Sequence, residues 1–163
     1  MRTLIALLLL CSTAIAADLH GKVVRIVDGD TLVLLVGRDQ VRVRLDGIDT
    51  PERGQDFATA SGKRLGELCH EKDVRVAVNG KDRYQRILGT IWVSETNVNL
   101  TLVREGQAWH YKQFSKDAEL AAAEIEARDA KRGIWSRPDA VAPWDFRRSA
   151  ARKPPALSPS PIE

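Results

Sequence analysis

The sequence has little cysteine, little histidine and no long apolar run, and each shortage argues against a class of protein. Two cysteines occur in 163 residues. The three histidines, His20, His70 and His110, show no metal-ligand spacing, so we expect them to be surface or packing residues. The apolar run near the N-terminus is shorter than the roughly 20 residues of a membrane-spanning helix. We therefore expect neither a disulfide-rich scaffold nor a zinc site, and no stable membrane association.

The first 16 residues are typical of a secretory signal peptide. Arg2 gives a positive start, "LIALLLL" is a short apolar segment, and "AIA" at 14–16 fits a cleavage signal. The alternatives are an N-terminal helix of the domain and a lipid-modified Cys11, although Leu10 is not the small residue that lipid processing normally requires. We predict that residues 1–16 are a signal peptide and that the protein is secreted or periplasmic.

The chain without that leader has one cysteine, Cys69, so no internal disulfide can form. Loss of Arg2 lowers the net charge from +3 to +2, which permits a polyanionic partner without requiring one. Residues 17–137 suit one compact domain. Residues 138–163 become rich in Pro and Ser, and we predict that this tail is largely disordered from about residue 149.

Short strand-like segments and Gly-containing turns alternate with helical patterns along the domain. The predicted strands cover 19–27, 31–36, 41–48, 73–78 and 86–93, and the predicted helices cover 56–69, about 97–106 and 117–132. Either Asn97 or Asn99 can cap the second helix. This order predicts an α+β fold, a five-stranded OB-type Greek-key β-barrel flanked by three helices. Whether Trp144 and Phe146 pack on the domain stays open.

Charged and polar side chains collect where the predicted strands end. They are Asp28 and Asp30 around the "DGD" turn, Arg44 on the third strand, Asp49, Thr50 and Glu52 after it, and Arg86 at the start of the fifth strand. Gly29 can give that first turn a positive φ. In a barrel, these strand ends can meet at one rim. Two aspartates and a threonine oxygen form a donor set that suits Ca²⁺ or Mg²⁺ rather than zinc or copper.

The same group of residues contains parts for phosphodiester hydrolysis. Arg44 and Arg86 can each hold two phosphate oxygens and stabilise the charge that develops on them. Glu52 can accept a proton from water or orient that water. Each part alone also fits ordinary structure, because "DGDT" is a common hairpin turn and "DTPE" a common helix start. The prediction rests on their joint occurrence in barrel order.

Five segments resemble the staphylococcal nuclease family over roughly residues 21–136. They are "VVRIVDGDTLVL", "VRVRLDGIDTPE", "KDRYQRILGTIWV", "VNLTLVREGQAWHY" and "DAKRGIWS". The resemblance implies a secreted, Ca²⁺-dependent nuclease with an OB-type barrel. It also implies cleavage of DNA and RNA with little base specificity, leaving 3′-phosphate products.

The resemblance further implies roles for individual residues. Asp30, Asp49 and the backbone carbonyl of Thr50 match the family's calcium ligands. Arg44 and Arg86 match its two catalytic, phosphate-binding arginines.

The remaining implied roles concern water and substrate. Glu52 matches the catalytic glutamate, and Arg83 and Tyr84 match the pair that contacts the terminal phosphate of the substrate. The aromatic residue that stacks on a base is either Trp109 or Tyr111, and we favour Tyr111.

The sequence departs from the family pattern at two places. Gln85 stands where the family usually has Gly, and the segment after Glu52 is shorter and has fewer lysines. We expect a monomer that binds DNA and RNA, with single strands or frayed duplex ends favoured. The alternatives are a non-catalytic OB-type module that binds nucleic acid or protein, and a structural protein in which these charges are turn residues.

Overall fold

The computed structural model describes residues 18–152. The predicted signal peptide and the end of the tail lie outside the described residues, so both stay predictions. Within 18–152, no helix is both long enough and apolar enough to cross a bilayer.

Eight strands and four α-helices occur in the described part of the chain. The strands are β1 Leu19–Ile26, β2 Thr31–Val36, β3 Asp39–Leu45, β4 Ile48–Asp49, β5 Asp73–Lys81, β6 Ile87–Val93, β7 Thr96–Asn97 and β8 Trp109–His110. The helices are α1 Ala58–Cys69, α2 Val98–Arg104, α3 Ala118–Asp129 and α4 Pro143–Arg152, with a 3₁₀ turn at Gly133–Ser136.

Five strands close into a barrel. β1 pairs antiparallel with β2 and with β5, β2 pairs with β3, and β5 pairs with β6. A parallel pairing of β3 with β6, with Val43 opposite Ile87, closes the barrel. The predicted five-stranded barrel is confirmed, and β4 forms a separate short pair with β8.

The predicted third strand is divided in two by a turn. β3 ends at Leu45 and β4 begins at Ile48, because Gly47 between them has a φ of 73°, which breaks the extended backbone. This turn allows residues 48 and 49 to leave the barrel and pair with β8. Asp49 is thereby placed beside the barrel end rather than along its wall.

Inward-facing strand residues and one side of each of the first three helices form the core. Its fully buried members include Val23, Leu32, Leu34, Val43, Leu45, Leu65, Ile91 and Leu102. The alternation of apolar and charged residues that predicted β3 therefore corresponds to alternating inward-facing and outward-facing side chains. A second, smaller cluster contains Trp109 and Ile134 with partly buried Trp135 and Trp144, so the "GIW" segment folds back onto the domain.

A fourth helix was missed in the sequence. α4 begins at Pro143, a favourable first position, has Asp145 in its first turn, and continues past Ser149, where we expected disorder to begin. Among its residues only Pro143 is buried, and Trp144 and Phe146 are half-buried. The segment lacks the continuous apolar stripe by which helices are usually recognised.

Candidate active site

The barrel register places Arg44 beside Asp30. Thr31 lies opposite Arg44 in the β2–β3 ladder, and the Leu45 amide donates to the Asp30 carbonyl at 2.8 Å. Arg44 Nη2 is 2.7 Å from Asp49 Oδ1 and 3.4 Å from Asp30 Oδ2. One guanidinium therefore joins a carboxylate from the β1–β2 turn to one from β4.

The other end of the same guanidinium is fixed by backbone. Arg44 Nη1 donates to the carbonyls of Leu45 at 3.1 Å and Ile48 at 3.0 Å. The β3–β4 turn thus wraps around the side chain that precedes it, and Arg44 is oriented before any substrate is bound. Burial lowers the pKa of Arg44, but the carboxylates of Asp30 and Asp49 outweigh this and raise it, so the group stays charged.

Asp30 and Thr50 are brought together by a close backbone approach. The Thr50 amide and Oγ1 both donate to Asp30 Oδ2, each at 3.2 Å. A β carbon on Gly29 would lie 2.7 Å from Thr50 Oγ1, so the turn can pack here only with glycine. Our expectation of a positive φ at Gly29 is wrong, since its backbone does not adopt one. The absence of a side chain is what this position requires.

Asp49 is buried and accepts from two arginines. Arg44 Nη2 and Arg147 Nη1 both reach its Oδ1, at 2.7 and 3.2 Å, and Arg147 Nη2 donates to its Oδ2 at 2.8 Å. Burial raises the pKa of Asp49 above its ordinary value, and the hydrogen bond from Arg147 offsets only part of this. The charge on Asp49 therefore depends on the arginines around it.

Glu52 is the third carboxylate of the cluster. Its Oε1 accepts from Arg147 Nη1 at 2.5 Å, and its side chain is 38% exposed. Its amide donates to the side chain of Gln55 at 2.7 Å, which fixes the loop that carries it. Glu52 is thus open to solvent and shares the Arg147 guanidinium with the buried Asp49, a position that suits a group that handles water.

Arg147 is the residue of this cluster that sequence reasoning missed. It comes from α4, about a hundred positions after Asp49, and nothing in "PWDFRR" itself indicates that it returns to the barrel. Its contacts with Asp49 and Glu52 outweigh the effect of burial and raise the pKa of Arg147. The only available sequence signal was the three-residue spacing of Trp144 and Arg147, which puts them on one helix face.

Arg86 is not joined to this cluster in the structure. Its Nε donates to Asp82 Oδ2 at 2.7 Å, and its guanidinium carbon lies 5.6 Å from the centre of the Tyr84 ring. Arg83 is 4.8 Å from the same ring. Because Tyr84 is 65% exposed, the three residues form an accessible aromatic and cationic surface, suited to phosphate.

The predicted stacking residue, Tyr111, lies in an aromatic group. Its ring is parallel to that of Trp144 within 3°, with ring centres 5.2 Å apart, and it contacts Phe114 at 4.7 Å. Trp109, the other candidate, is 7% exposed and packs between Trp135 and Trp144. Burial of Trp109 favours Tyr111 of the two, and the stacking role itself stays a prediction.

The donor set fits a hard divalent cation in its chemistry. Asp30, Asp49 and Thr50 offer only oxygen atoms, which suit Ca²⁺. Three carboxylates, those of Asp30, Asp49 and Glu52, converge on Arg44 and Arg147. Between residues 18 and 152 there is no cluster of three or more His, Cys, Asp and Glu side chains arranged to hold a metal. Solvent and substrate oxygens would have to complete a coordination shell around the aspartates.

Comparison with known proteins relates this chain to nucleases. Residues 42–137 match the family model described as "Staphylococcal nuclease homologue". The chain is 41% identical over 156 residues to a micrococcal nuclease of Shigella flexneri, an alignment that covers 89% of this chain and 90% of that protein.

Two further relatives carry similar names. An "uncharacterized endonuclease" of Escherichia coli is 44% identical over 134 residues, with 82% of this chain and 88% of that protein covered. A staphylococcal-like nuclease of Arabidopsis thaliana is 35% identical over 108 residues, which is 66% of this chain and 33% of the plant protein.

Proposed function

The chain belongs to the staphylococcal nuclease homologue family, and from this premise we propose that it is a calcium-dependent nuclease of low base specificity. The family and the names of its relatives support hydrolysis of phosphodiester bonds. The observation that carries the proposal within the structure is the cluster of Arg44, Asp30, Asp49 and Glu52 at one end of the barrel.

Asp30, Asp49 and an oxygen of Thr50 would hold the calcium ion. When bound, the ion would stabilise negative charge on phosphate oxygens and bring them next to the carboxylates. Asp30 comes from the β1–β2 turn and Asp49 from β4, and Arg44 already holds the two together. Little conformational entropy is therefore lost when these ligands assemble around the ion.

Arg44 and Glu52 have the chemistry for the attack itself. The Arg44 fork is pre-oriented by the Leu45 and Ile48 carbonyls and would bind the phosphate as its negative charge increases. Glu52 would accept a proton from the attacking water or orient it, while Arg86 would swing from Asp82 to the phosphate. Loss of the 5′-oxygen as leaving group would give a 3′-phosphate product.

The predicted substrate contacts address backbone and ring faces rather than base edges. Arg83 and Tyr84 would bind a terminal phosphate, and Tyr111 would stack on a base. Contacts of this kind carry little sequence information and favour single strands or frayed ends of DNA and RNA. We propose that the protein acts on these substrates as a monomer.

We propose that the protein is secreted or periplasmic. The proposal depends on the n-region, apolar segment and cleavage signal in residues 1–16. Mass spectrometry of the protein recovered from the producing cells should give a chain that begins at Ala17. An intact N-terminus at Met1 would contradict export by this route.

The proposed activity is tested by digestion of single-stranded DNA, duplex DNA and RNA with calcium and with excess EGTA. We expect calcium-dependent cleavage of all three, fastest for single strands, with 3′-phosphate ends. Glu52→Gln should reduce the cleavage rate by about 10²–10⁴-fold, the usual contribution of a positioned acid or base, while oligonucleotide binding is retained. Glu95→Gln, an exposed change between β6 and β7, is the matched control and should leave the rate unchanged.

The digestion also separates the proposal from a binding module. A folded protein that binds oligonucleotides but cleaves none of the three substrates with any divalent ion would establish a non-catalytic OB-type domain. Absence of both binding and cleavage would instead indicate that these charges serve only the turns.

A further inference from the structure

We propose that α4 is an intramolecular cover over the candidate site, in which the Arg147 guanidinium takes the place of a divalent cation at Asp49 and Glu52. The proposal rests on the proposed function, because it concerns the same cation and the same carboxylates. It adds that calcium binding and docking of α4 exclude each other.

The contacts of Arg147 are those expected of a competing cation. Its Nη2 donates to Asp49 Oδ2 at 2.8 Å and its Nη1 to Asp49 Oδ1 at 3.2 Å. Nη1 also donates to Glu52 Oε1 at 2.5 Å. Asp49 is 1% exposed and its remaining partner is Arg44. A cation that binds to Asp49 therefore competes with Arg147 for both of its oxygens.

The charges of the cluster support the same exchange. Without Arg147, the carboxylates of Asp30, Asp49 and Glu52 outnumber the one positive charge of Arg44 by two, and Asp28 beside Asp30 adds further negative charge. Arg147 offsets one of these charges. The cluster can therefore be occupied by either cation, and a divalent ion neutralises it more completely than the helix does.

A second contact of α4 covers Tyr111, the predicted base-stacking residue. Trp144, one helical turn before Arg147, stacks on Tyr111 with ring centres 5.2 Å apart and planes within 3°. A nucleobase using this face of Tyr111 has to displace Trp144. One face of α4 thus blocks both the carboxylates and the predicted base-stacking ring.

The helix is attached by few side chains. Beyond Pro143, its contacts with the domain come from three half-buried side chains, Trp144, Phe146 and Arg147. A partly open cavity of about 220 Å³ lies beneath it, bordered by Pro51, Phe57 and Phe146 among other residues. Segments with few buried contacts open at a small free-energy cost. α4 also lies beyond residues 42–137, the segment that matches the family model.

Competition of this kind is reciprocal. If docked α4 weakens calcium binding by some factor, calcium weakens the docking of α4 by the same factor. The protein would then be covered where calcium is scarce and open where both calcium and nucleic acid are present. Regulation would come from the chain's own helix.

Calcium titration by calorimetry, without nucleic acid, tests the competition. Arg147→Gln should bind calcium about 10-fold more tightly than the unaltered protein, within the usual range of coupling between sites. Arg148→Gln removes the same charge from the next position, where the side chain pairs with Asp145 and not with the site. It should bind calcium as the unaltered protein does. Equal or weaker binding by Arg147→Gln would overturn the proposal.

Hydrogen exchange of the unaltered protein provides a test that needs no variant. Amides of α4 should exchange faster when calcium and a mononucleotide are added, and EGTA should reverse the change. Slower or unchanged exchange would mean that α4 is not displaced. Calcium-dependent cleavage accompanied by unchanged α4 exchange would overturn the cover alone, whereas faster exchange without cleavage would overturn the nuclease activity alone.

Discussion

Arg44 is held in place by two backbone carbonyls and two carboxylates before it meets a substrate. Such a side chain loses little rotamer entropy when it binds phosphate. Arg86 lacks such backbone anchors among the described residues, and its ion pair is with Asp82 rather than with the carboxylates around Arg44. The sequence assigned Arg44 and Arg86 the same role. In the folded chain, however, Arg44 is fixed by backbone carbonyls and Arg86 is paired with Asp82.

Gln85 holds a backbone conformation that favours glycine. Its φ is 63°, in the turn where Asp82 accepts from the amides of Tyr84 and Arg86. Gln85→Gly should raise the free energy of unfolding by up to about 1 kcal/mol, because a left-handed conformation costs a residue with a β carbon roughly that much. Urea unfolding measures the change. Gln85→Ala keeps the β carbon and should give no gain, and an equal gain from both variants would contradict this explanation.

His110 makes stability depend on pH. It is 3% exposed, and burial lowers its pKa below 6.5, opposed by the charge of Glu124. The unfolded chain therefore binds a proton more readily than the folded one, so the free energy of unfolding should fall as pH drops below about 7. His110→Gln should flatten this slope between pH 7 and 5, measured by urea unfolding. His20→Gln, at an exposed position, should leave it unchanged.

At the scale of elements, a strand defined by its local sequence was easier to predict than a break or a helix that depends on distant contacts. β2 Thr31–Val36 matches its prediction residue for residue, because its composition and flanking turns define it locally. The break at Gly47 was not predicted, because Ile48 follows it and extends the apolar pattern of the strand in the sequence. α4 was missed because its docking depends on Trp144 and Arg147 meeting partners far away in the chain.

The start of α2 shows how tertiary contacts settle an open choice. Asn97 is its cap and accepts from the Leu100 amide at 3.0 Å. Asn99, the other candidate, is buried and accepts from the Ile91 amide while its Nδ2 donates to the Asp46 carbonyl. Local sequence allowed both assignments, and only the packing of α2 on the barrel separates them.

The start of α3 depends on one aspartate. Asp117 Oδ1 accepts from the amides of Glu119 at 2.7 Å and Leu120 at 3.1 Å. Asp117→Ala should lower the free energy of unfolding by about 1 kcal/mol, the usual value of such a cap. Thermal or urea unfolding would show it. Asp129→Ala at the opposite end removes a charge unfavourable to the helix dipole and should be neutral or slightly stabilising. An equal loss at both ends would contradict a capping role.

At the scale of the whole molecule, ligands that need the folded site should stabilise the fold. Calcium and a mononucleotide, each at about 100 times its dissociation constant, should together raise the melting temperature by on the order of 10 to 20 °C. Differential scanning calorimetry measures the shift. Asp49→Asn should show little or no shift relative to its own ligand-free melting temperature. An unchanged melting curve for the unaltered protein would count against the proposed site.

Biosynthesis follows chain order, and the fold completes its candidate site late in that order. Arg44 and Asp49 are synthesised early, but β3 needs β6 to close the barrel, and β4 needs Trp109 and His110 of β8. A nascent chain that ends before residue 110 carries these side chains without the pairings that fix them. The assembled arrangement therefore forms only after most of the 163 residues have been joined.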